Sequence, residues 1–193
     1  MLFTDYNDTK RLYHIVCISD LKYIFEDGLR FSKRLSYKDK YQSFHEFMDI
    51  YRTENVPEWV VRKRALFASL NYKDNQIWHS HSAILSIKVD TDCCWVANEN
   101  TANFLYEPFV LKTIHQFASL NDFLYNKGKE IAEDYWLNSM CLMDYLGKRK
   151  SVGDKYDAEV LIMKDIKPAD INLIAIVTDH RIIPMDAFYQ TYR

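Results

Sequence analysis

The stretch Tyr156-Asp157-Ala158-Glu159-Val160-Leu161-Ile162-Met163 decides how this chain is interpreted. Its apolar and β-branched residues lie between a turn-forming segment at 151–154 and Pro168, which predicts a short β-strand. Side chains alternate along a strand, and both faces of this one are largely apolar, which predicts a central position in a sheet. Glu159 is then expected to point its carboxylate into a buried or half-buried environment.

A carboxylate in such an environment has two interpretations. Burying it is costly unless it is paired, hydrogen-bonded or protonated. The structural interpretation is a salt bridge, or a strand-edge position with partial access to solvent, and the spacing alone favours it. The functional interpretation is that Glu159 takes part in catalysis.

Length and composition bound the class of protein. The 193 residues fit a single domain, 1–193, with a substantial core, and the content of 48% hydrophobic residues predicts a folded chain. A formal charge of −2 gives no overall attraction to nucleic acid or acidic membranes, so any anion binding must be local. Four cysteines without paired spacing and a polar, acidic start predict a cytoplasmic protein with reduced thiols and no membrane contact.

Common cofactor and metal motifs are absent from the sequence. The four glycines form neither GxGxxG nor GxxxxGK[ST], which excludes a Rossmann fingerprint and a P-loop. His79 and His81 with Cys93 and Cys94 are zinc-type ligands, but their spacing matches no structural zinc pattern, so no metal site is predicted. A Cys–His nucleophile pair stays open, with no cysteine favoured over the others.

The order of elements predicts a mixture of strands and helices. Strands are expected at 11–17, 65–70, 83–89, 93–97 and 171–177, a helix at 20–27 that Gly28 ends, and the longest helix at 129–146. Strands at both ends of the chain with helices between them predict an α+β fold.

Two segments, 30–41 and 147–155, are locally basic. The first interleaves its lysines and arginines with aromatic residues, and the second contains Lys148, Arg149, Lys150 and Lys155. Charge alone favours solvated loops. The alternative is a surface for single-stranded nucleic acid, which binds through phosphate contacts and base stacking.

Three short motifs stand in order along the chain. They are Tyr13-His14-Ile15 with Leu21, Ile24, Gly28 and Leu29; then Asn98-x-Asn100-x-Ala102; and finally Ala158–Ile162 with Ile166-x-Pro168-x-x-Ile171. In this order and spacing they resemble the DarT-type ADP-ribosyltransferases. The resemblance implies a toxin–antitoxin setting and an ADP-ribosyltransferase-like split mixed β-sheet with peripheral helices.

The resemblance also implies NAD as co-substrate. Glu159 would be the catalytic residue: it would hydrogen-bond the 2′-hydroxyl of the nicotinamide ribose and would assist the acceptor. Its negative charge would stabilise an oxocarbenium-like state of the ribose. Tyr13, His14 and Ser69 would bind the cofactor. Glu159 and His14 are accordingly expected to face one nucleotide cleft.

An arginine also belongs to the family's site, and Arg34 is the catalytic candidate here, with Arg64 as the second. The acceptor would be a base in single-stranded DNA, with protein as the alternative acceptor, approached through segments 30–41 and 147–155.

Departures from the family pattern support an alternative. Val16 stands where the family usually has Thr, Asp20 replaces an Asn, and segment 66–71 lacks a Pro-Arg-Ser motif. These differences favour a catalytically inactive binding or immunity module on the same fold. A third interpretation, an RNA 2′-phosphotransferase-like enzyme, needs a further set of phosphate-binding arginines that the sequence does not reveal.

Overall fold

A computed structural model describes residues 3–31, 38–72, 78–111, 119–153 and 155–187. The helices are α1 Tyr6–Thr9, α2 Leu21–Asp27, α3 Lys38–Ile50, α4 Glu99–Leu111, α5 Leu120–Phe123, α6 Lys129–Leu137 and α7 Leu142–Lys148. The strands are β1 Arg11–Cys17, β2 Leu66–Ser69, β3 Ser82–Lys88, β4 Cys94–Asn98, β5 Met140–Cys141, β6 Ala158–Ile162, β7 Ile171–Thr178 and β8 Arg181–Pro184. Within these ranges, none of the helices has the length and apolar character that a bilayer crossing needs.

The eight strands form one sheet in the order β5-β4-β6-β2-β1-β3-β7-β8. The fold is therefore α+β, as the element order predicted. Every strand pair in the described part of the chain is antiparallel, which corrects the expectation of a mixed sheet. The last strand, β8, pairs with β7 and was not anticipated.

The sheet divides into two halves between β1 and β2. β1 and β3 share seven opposed residue pairs, whereas β1 and β2 share one, Tyr13 opposite Ser69. Beyond that pair the strands separate, and the imidazole of His14 bridges the gap, with its Nδ1 2.6 Å from the carbonyl oxygen of Phe67. The sheet is thus continuous at one residue pair and open beside it.

Strand β6 lies inside the half formed by β5, β4, β6 and β2, between β2 and β4. Val160 and Ile162 pack into the core on one face, and Leu161 packs into a second core on the other. This confirms that the strand is central and apolar on both faces. Glu159 lies on the face of Leu161, beneath helices α3, α4 and α6.

The opening of the chain folds as its sequence predicts. β1 occupies Arg11–Cys17, and α2 ends at Gly28, whose φ of +84° lies in the left-handed region that glycine tolerates best. Gly28 also lies against the carbonyl of Ile166, where a side chain would have no room. An isolated β-bridge between Leu29 and Ile166 then joins the residues after α2 to the residues that follow β6.

The prediction of a single long helix at 129–146 is wrong. α6 ends at Leu137, the two residues of β5 pair with Val96 and Trp95 of β4, and α7 begins at Leu142. Asn138 donates from its side-chain amide to both the backbone and the side chain of Asp134, which stabilises the end of α6. A sheet contact therefore interrupts a helical pattern that is locally continuous.

Candidate functional site

Three of the predicted site residues lie in one row across the sheet. Tyr13 of β1 is opposite Ser69 of β2, and Ser69 is opposite Glu159 of β6. Directly opposed residues on neighbouring strands point to the same face. The row Tyr13–Ser69–Glu159 therefore starts at the junction of the two half-sheets and ends on β6, an inner strand of the half that contains β2.

His14 does not belong to this row. It follows Tyr13 along β1 and so faces the opposite side of the sheet, the side of Leu12 and Val16. Its ring lies in the gap between β1 and β2 and contacts the Phe67 carbonyl. The expectation that His14 and Glu159 share one cleft is corrected, because the pleat of β1 separates them.

The Glu159 carboxylate is held by two groups from distant parts of the chain. Arg62 donates from Nη1 to Oε1 at 2.6 Å and from Nη2 to Oε2 at 3.2 Å. Tyr135 of α6 donates its hydroxyl to Oε1 at 2.9 Å, and Arg62 also contacts the Tyr135 hydroxyl. The Arg62 and Glu159 side chains are only 4% and 8% exposed, so this is a closed, fully buried ion pair.

The guanidinium of Arg62 is enclosed by aromatic rings. Its central carbon lies 4.7 Å from the ring centre of Phe67, 4.9 Å from that of Tyr135 and 5.3 Å from that of Phe44. Cation–π contacts of this kind offset part of the loss of hydration. Burial raises the pKa of Tyr135 well above its ordinary value, so the hydroxyl keeps its proton and acts as a donor to the carboxylate.

Arg62 is positioned by the end of α3. It starts a 3-10 turn, Arg62–Arg64, ahead of β2, and its backbone N–H donates to Oδ1 of Asp49 at 2.7 Å. The backbone N–H of Lys63 donates to Oδ2 of the same carboxylate at 3.0 Å. Because Asp49 fixes this turn, the first of the three basic side chains enters the core, while Lys63 and Arg64 stay exposed.

Among the described residues, the arginine next to Glu159 is Arg62, which the sequence analysis missed. Arg64, the second candidate, is exposed two residues further on. Arg34, the first candidate, lies outside the described residues. The run Arg62-Lys63-Arg64 before an apolar strand was visible in the sequence, but no local pattern indicates which of its members turns inward.

A second carboxyl group lies beside this pair. Glu99 begins α4, two residues after Ala97, the β4 residue directly opposite Glu159. Its backbone N–H donates to the carbonyl of Asp157 at 2.7 Å. Burial, together with repulsion from Glu159 and Asp157, raises the pKa of Glu99 to about 7, against the opposing effect of Arg62. Near neutral pH the site thus holds a carboxyl group that exchanges its proton.

A groove of about 480 Å³ lies next to the site. The end of β4 provides Asn98, and the start of α4 provides Asn100, Thr101 and Phe104. The remaining lining residues are Lys127, Glu130, Ile131 and Asp134, from α6 and the turn before it, and Lys155. Its lining includes the sequence neighbours of Glu99 and Tyr135 but not Glu159. The groove therefore does not reach the carboxylate of Glu159.

The two basic segments differ in what can be described. Residues 32–37 of the first segment lie outside the described part of the chain. In the second, Lys148, Lys150 and Lys155 are exposed, whereas Arg149 binds Oδ2 of Asp5 at 2.6 Å. Three lysines of segment 147–155 therefore present their charge to solvent, and one of them, Lys155, lines the groove.

Comparison with known proteins adds no relative. No protein-family model, no curated protein and no solved structure matches this chain.

Proposed function

We propose that this protein is an NAD-dependent ADP-ribosyltransferase that acts on a nucleic-acid acceptor. The observation that carries the proposal is the row Tyr13–Ser69–Glu159, which starts at the junction of the two half-sheets and ends in a carboxylate bound by Arg62. It supports an ADP-ribosyltransferase-like split sheet, with the sheet antiparallel instead of mixed. Buried charged pairs with perturbed neighbours are concentrated at functional sites, which also supports a role for this pair.

The proposed chemistry is cleavage of the bond between nicotinamide and ribose. The bond breaks with its electron pair leaving on the nicotinamide nitrogen, and positive charge develops on the ribose. A fixed carboxylate beside that ribose stabilises the charge, and the effect is large in a site with little water. Glu159 would accept a hydrogen bond from the ribose 2′-hydroxyl, and Ser69 and Tyr13 would line the nicotinamide end.

Arg62 takes the place that the sequence analysis gave to Arg34. Its planar guanidinium carries donors on two nitrogens for Glu159, and a fork of this kind also suits phosphate oxygens. In the closed arrangement Tyr135 occupies Oε1 of Glu159. Binding of NAD would exchange that phenol hydroxyl for the ribose hydroxyl, which requires α6 to move away from the sheet.

The acceptor we propose is single-stranded nucleic acid. The exposed lysines of segment 147–155 precede the Glu159 strand directly, so a phosphate backbone bound there would bring a base towards the row. Protein is the second acceptor class, and the transfer experiment separates the two.

One observation favours a second candidate, a catalytically inactive binding or immunity module on the same fold. Both oxygens of Glu159 are occupied, and its side chain is 8% exposed, as expected of a structural ion pair. In that case Arg62, Glu159 and Tyr135 serve only to join α6 to the sheet.

Transfer of label from NAD tests the proposal. The protein is incubated with NAD labelled in its adenylate part and with single-stranded DNA, single-stranded RNA or protein, in parallel with Glu159→Gln and with Glu133→Gln. Glu133 is a surface carboxylate on α6 and serves as the matched control. We expect wild type and Glu133→Gln to label nucleic acid and Glu159→Gln to lose at least about 100-fold in rate. Absence of labelling and of NAD binding in the wild type favours the inactive module.

A further inference from the structure

Residues 3–5 cover one end of the Tyr13–Ser69–Glu159 row. The ring of Phe3 is only 9% exposed and lies in a box of three aromatic rings. It stacks on Trp78 with ring centres 5.4 Å apart and meets Tyr13 and Tyr72 edge-on, at 5.4 and 5.2 Å. The box thus holds one six-membered ring.

Polar contacts hold this segment in place. The Tyr13 hydroxyl donates to the carbonyl of Thr4 at 2.6 Å. Oδ2 of Asp5 accepts from Nδ2 of Asn71 at 2.9 Å and binds Arg149 at 2.6 Å. Asp5 and Arg149 are 24% and 28% exposed, so their contact is accessible to water and can be broken without disturbing the core.

The box lies on the same face of the sheet as Glu159. Tyr13 is both a wall of the box and the first member of the row. A ligand that extends along the row from Glu159 past Ser69 arrives at the ring of Phe3. Ligand and Phe3 cannot occupy that position together.

We propose that residues 3–5 form an autoinhibitory strap, in which the Phe3 ring occupies the Tyr13 end of the Tyr13–Ser69–Glu159 row and keeps NAD from lying along that row until the site opens. The strap rests on the proposed function, because it assumes that NAD lies along the row. Its consequence is that apparent NAD affinity equals the intrinsic affinity multiplied by the fraction of molecules with the strap released.

The test measures NAD binding by titration calorimetry in the full chain. Asp5→Asn loosens the strap but leaves Phe3 in place, and Phe3→Ala empties the box. Phe123→Ala is the matched control, because Phe123 is a buried phenyl ring of another cluster. We expect NAD to bind about fivefold more tightly to Asp5→Asn and at least tenfold more tightly to Phe3→Ala, with Phe123→Ala like wild type.

Transfer assays on the same variants distinguish failure of the strap from failure of the proposed function. Tighter NAD binding without transfer supports the strap and removes the transferase. Transfer by the wild type with equal NAD affinity in all variants supports the transferase and overturns the strap. If Phe123→Ala gains affinity as Phe3→Ala does, or if no variant binds NAD, the strap is likewise overturned.

Discussion

Replacing Arg62 by methionine isolates the energetics of the buried pair. The substitution keeps an unbranched apolar stem against Phe44, Phe67 and Tyr135 but removes two hydrogen bonds to Glu159. Glu159 then keeps Tyr135 as its hydrogen-bond donor and loses the opposing charge. Removal of one partner from a buried pair costs about 3–5 kcal/mol, and we expect Arg62→Met to lower the free energy of unfolding by about 4 kcal/mol.

The cost should be recovered when the other polar groups are removed as well. Glu159→Leu on the Arg62→Met background eliminates the unpaired charge but leaves the buried Tyr135 hydroxyl without its acceptor, at about 1–3 kcal/mol. Adding Tyr135→Phe removes that penalty. The triple variant is therefore expected within about 1 kcal/mol of wild type, because apolar replacements of buried ion pairs are often neutral.

The free energy of unfolding is measured by urea titration followed by far-UV circular dichroism. The slope of this free energy against urea concentration should be the same in all variants. Lys63→Met, at the exposed neighbour of Arg62, is the matched control and should change the free energy of unfolding by less than about 0.5 kcal/mol. A cost below about 1 kcal/mol for Arg62→Met, or a triple variant less stable than the single one, refutes the closed pair.

Two further predictions concern the backbone at Gly28 and the charge of Glu99. Gly28→Ala should cost about 2 kcal/mol or more in urea unfolding, because Gly28 has a φ of +84° and faces the Ile166 carbonyl, whereas Gly147→Ala, facing open space in α7, should gain about 0.5 kcal/mol. The raised pKa of Glu99 stabilises the fold below pH 4.5, and this contribution, about 3 kcal/mol at most, is lost as pH rises through about 7. We expect the free energy of unfolding of the wild type to fall across that pH range, and we expect this fall to be absent in Glu99→Gln.

Hydrophobic periodicity and helix-ending residues predicted the strands and helices whose structure does not depend on distant contacts. β1 alternates clearly, and α2 has an apolar face ended by Gly28, so both were foreseen close to their bounds. The helix expected at 129–146 failed because β5 pairs with β4, residues more than forty positions earlier in the chain. Periodicity within a window carries no information on a distant strand.

For the site as well, the residues with a local signal were predicted and the residue placed by distant contacts was not. Glu159 was recognised because a carboxylate in an apolar strand is conspicuous, and Ser69 and Tyr13 were brought to it by strand register. Arg62 was missed because its partner is 97 positions away and its inward turn depends on Asp49 at the end of α3. The prediction that His14 and Glu159 face a common cleft was wrong because the sequence does not give the register of the strands. A shift of one residue in register moves a side chain to the other face of the sheet.

Release of nicotinamide from NAD is the most direct test of the central claim, since water serves as acceptor and the natural acceptor need not be known. Free nicotinamide is quantified by chromatography after incubation of NAD with wild type, Glu159→Gln and the control Glu133→Gln. The account predicts release by wild type and Glu133→Gln and a loss of at least about 100-fold in Glu159→Gln. Equal release by folded Glu159→Gln, or no release by wild type, contradicts it.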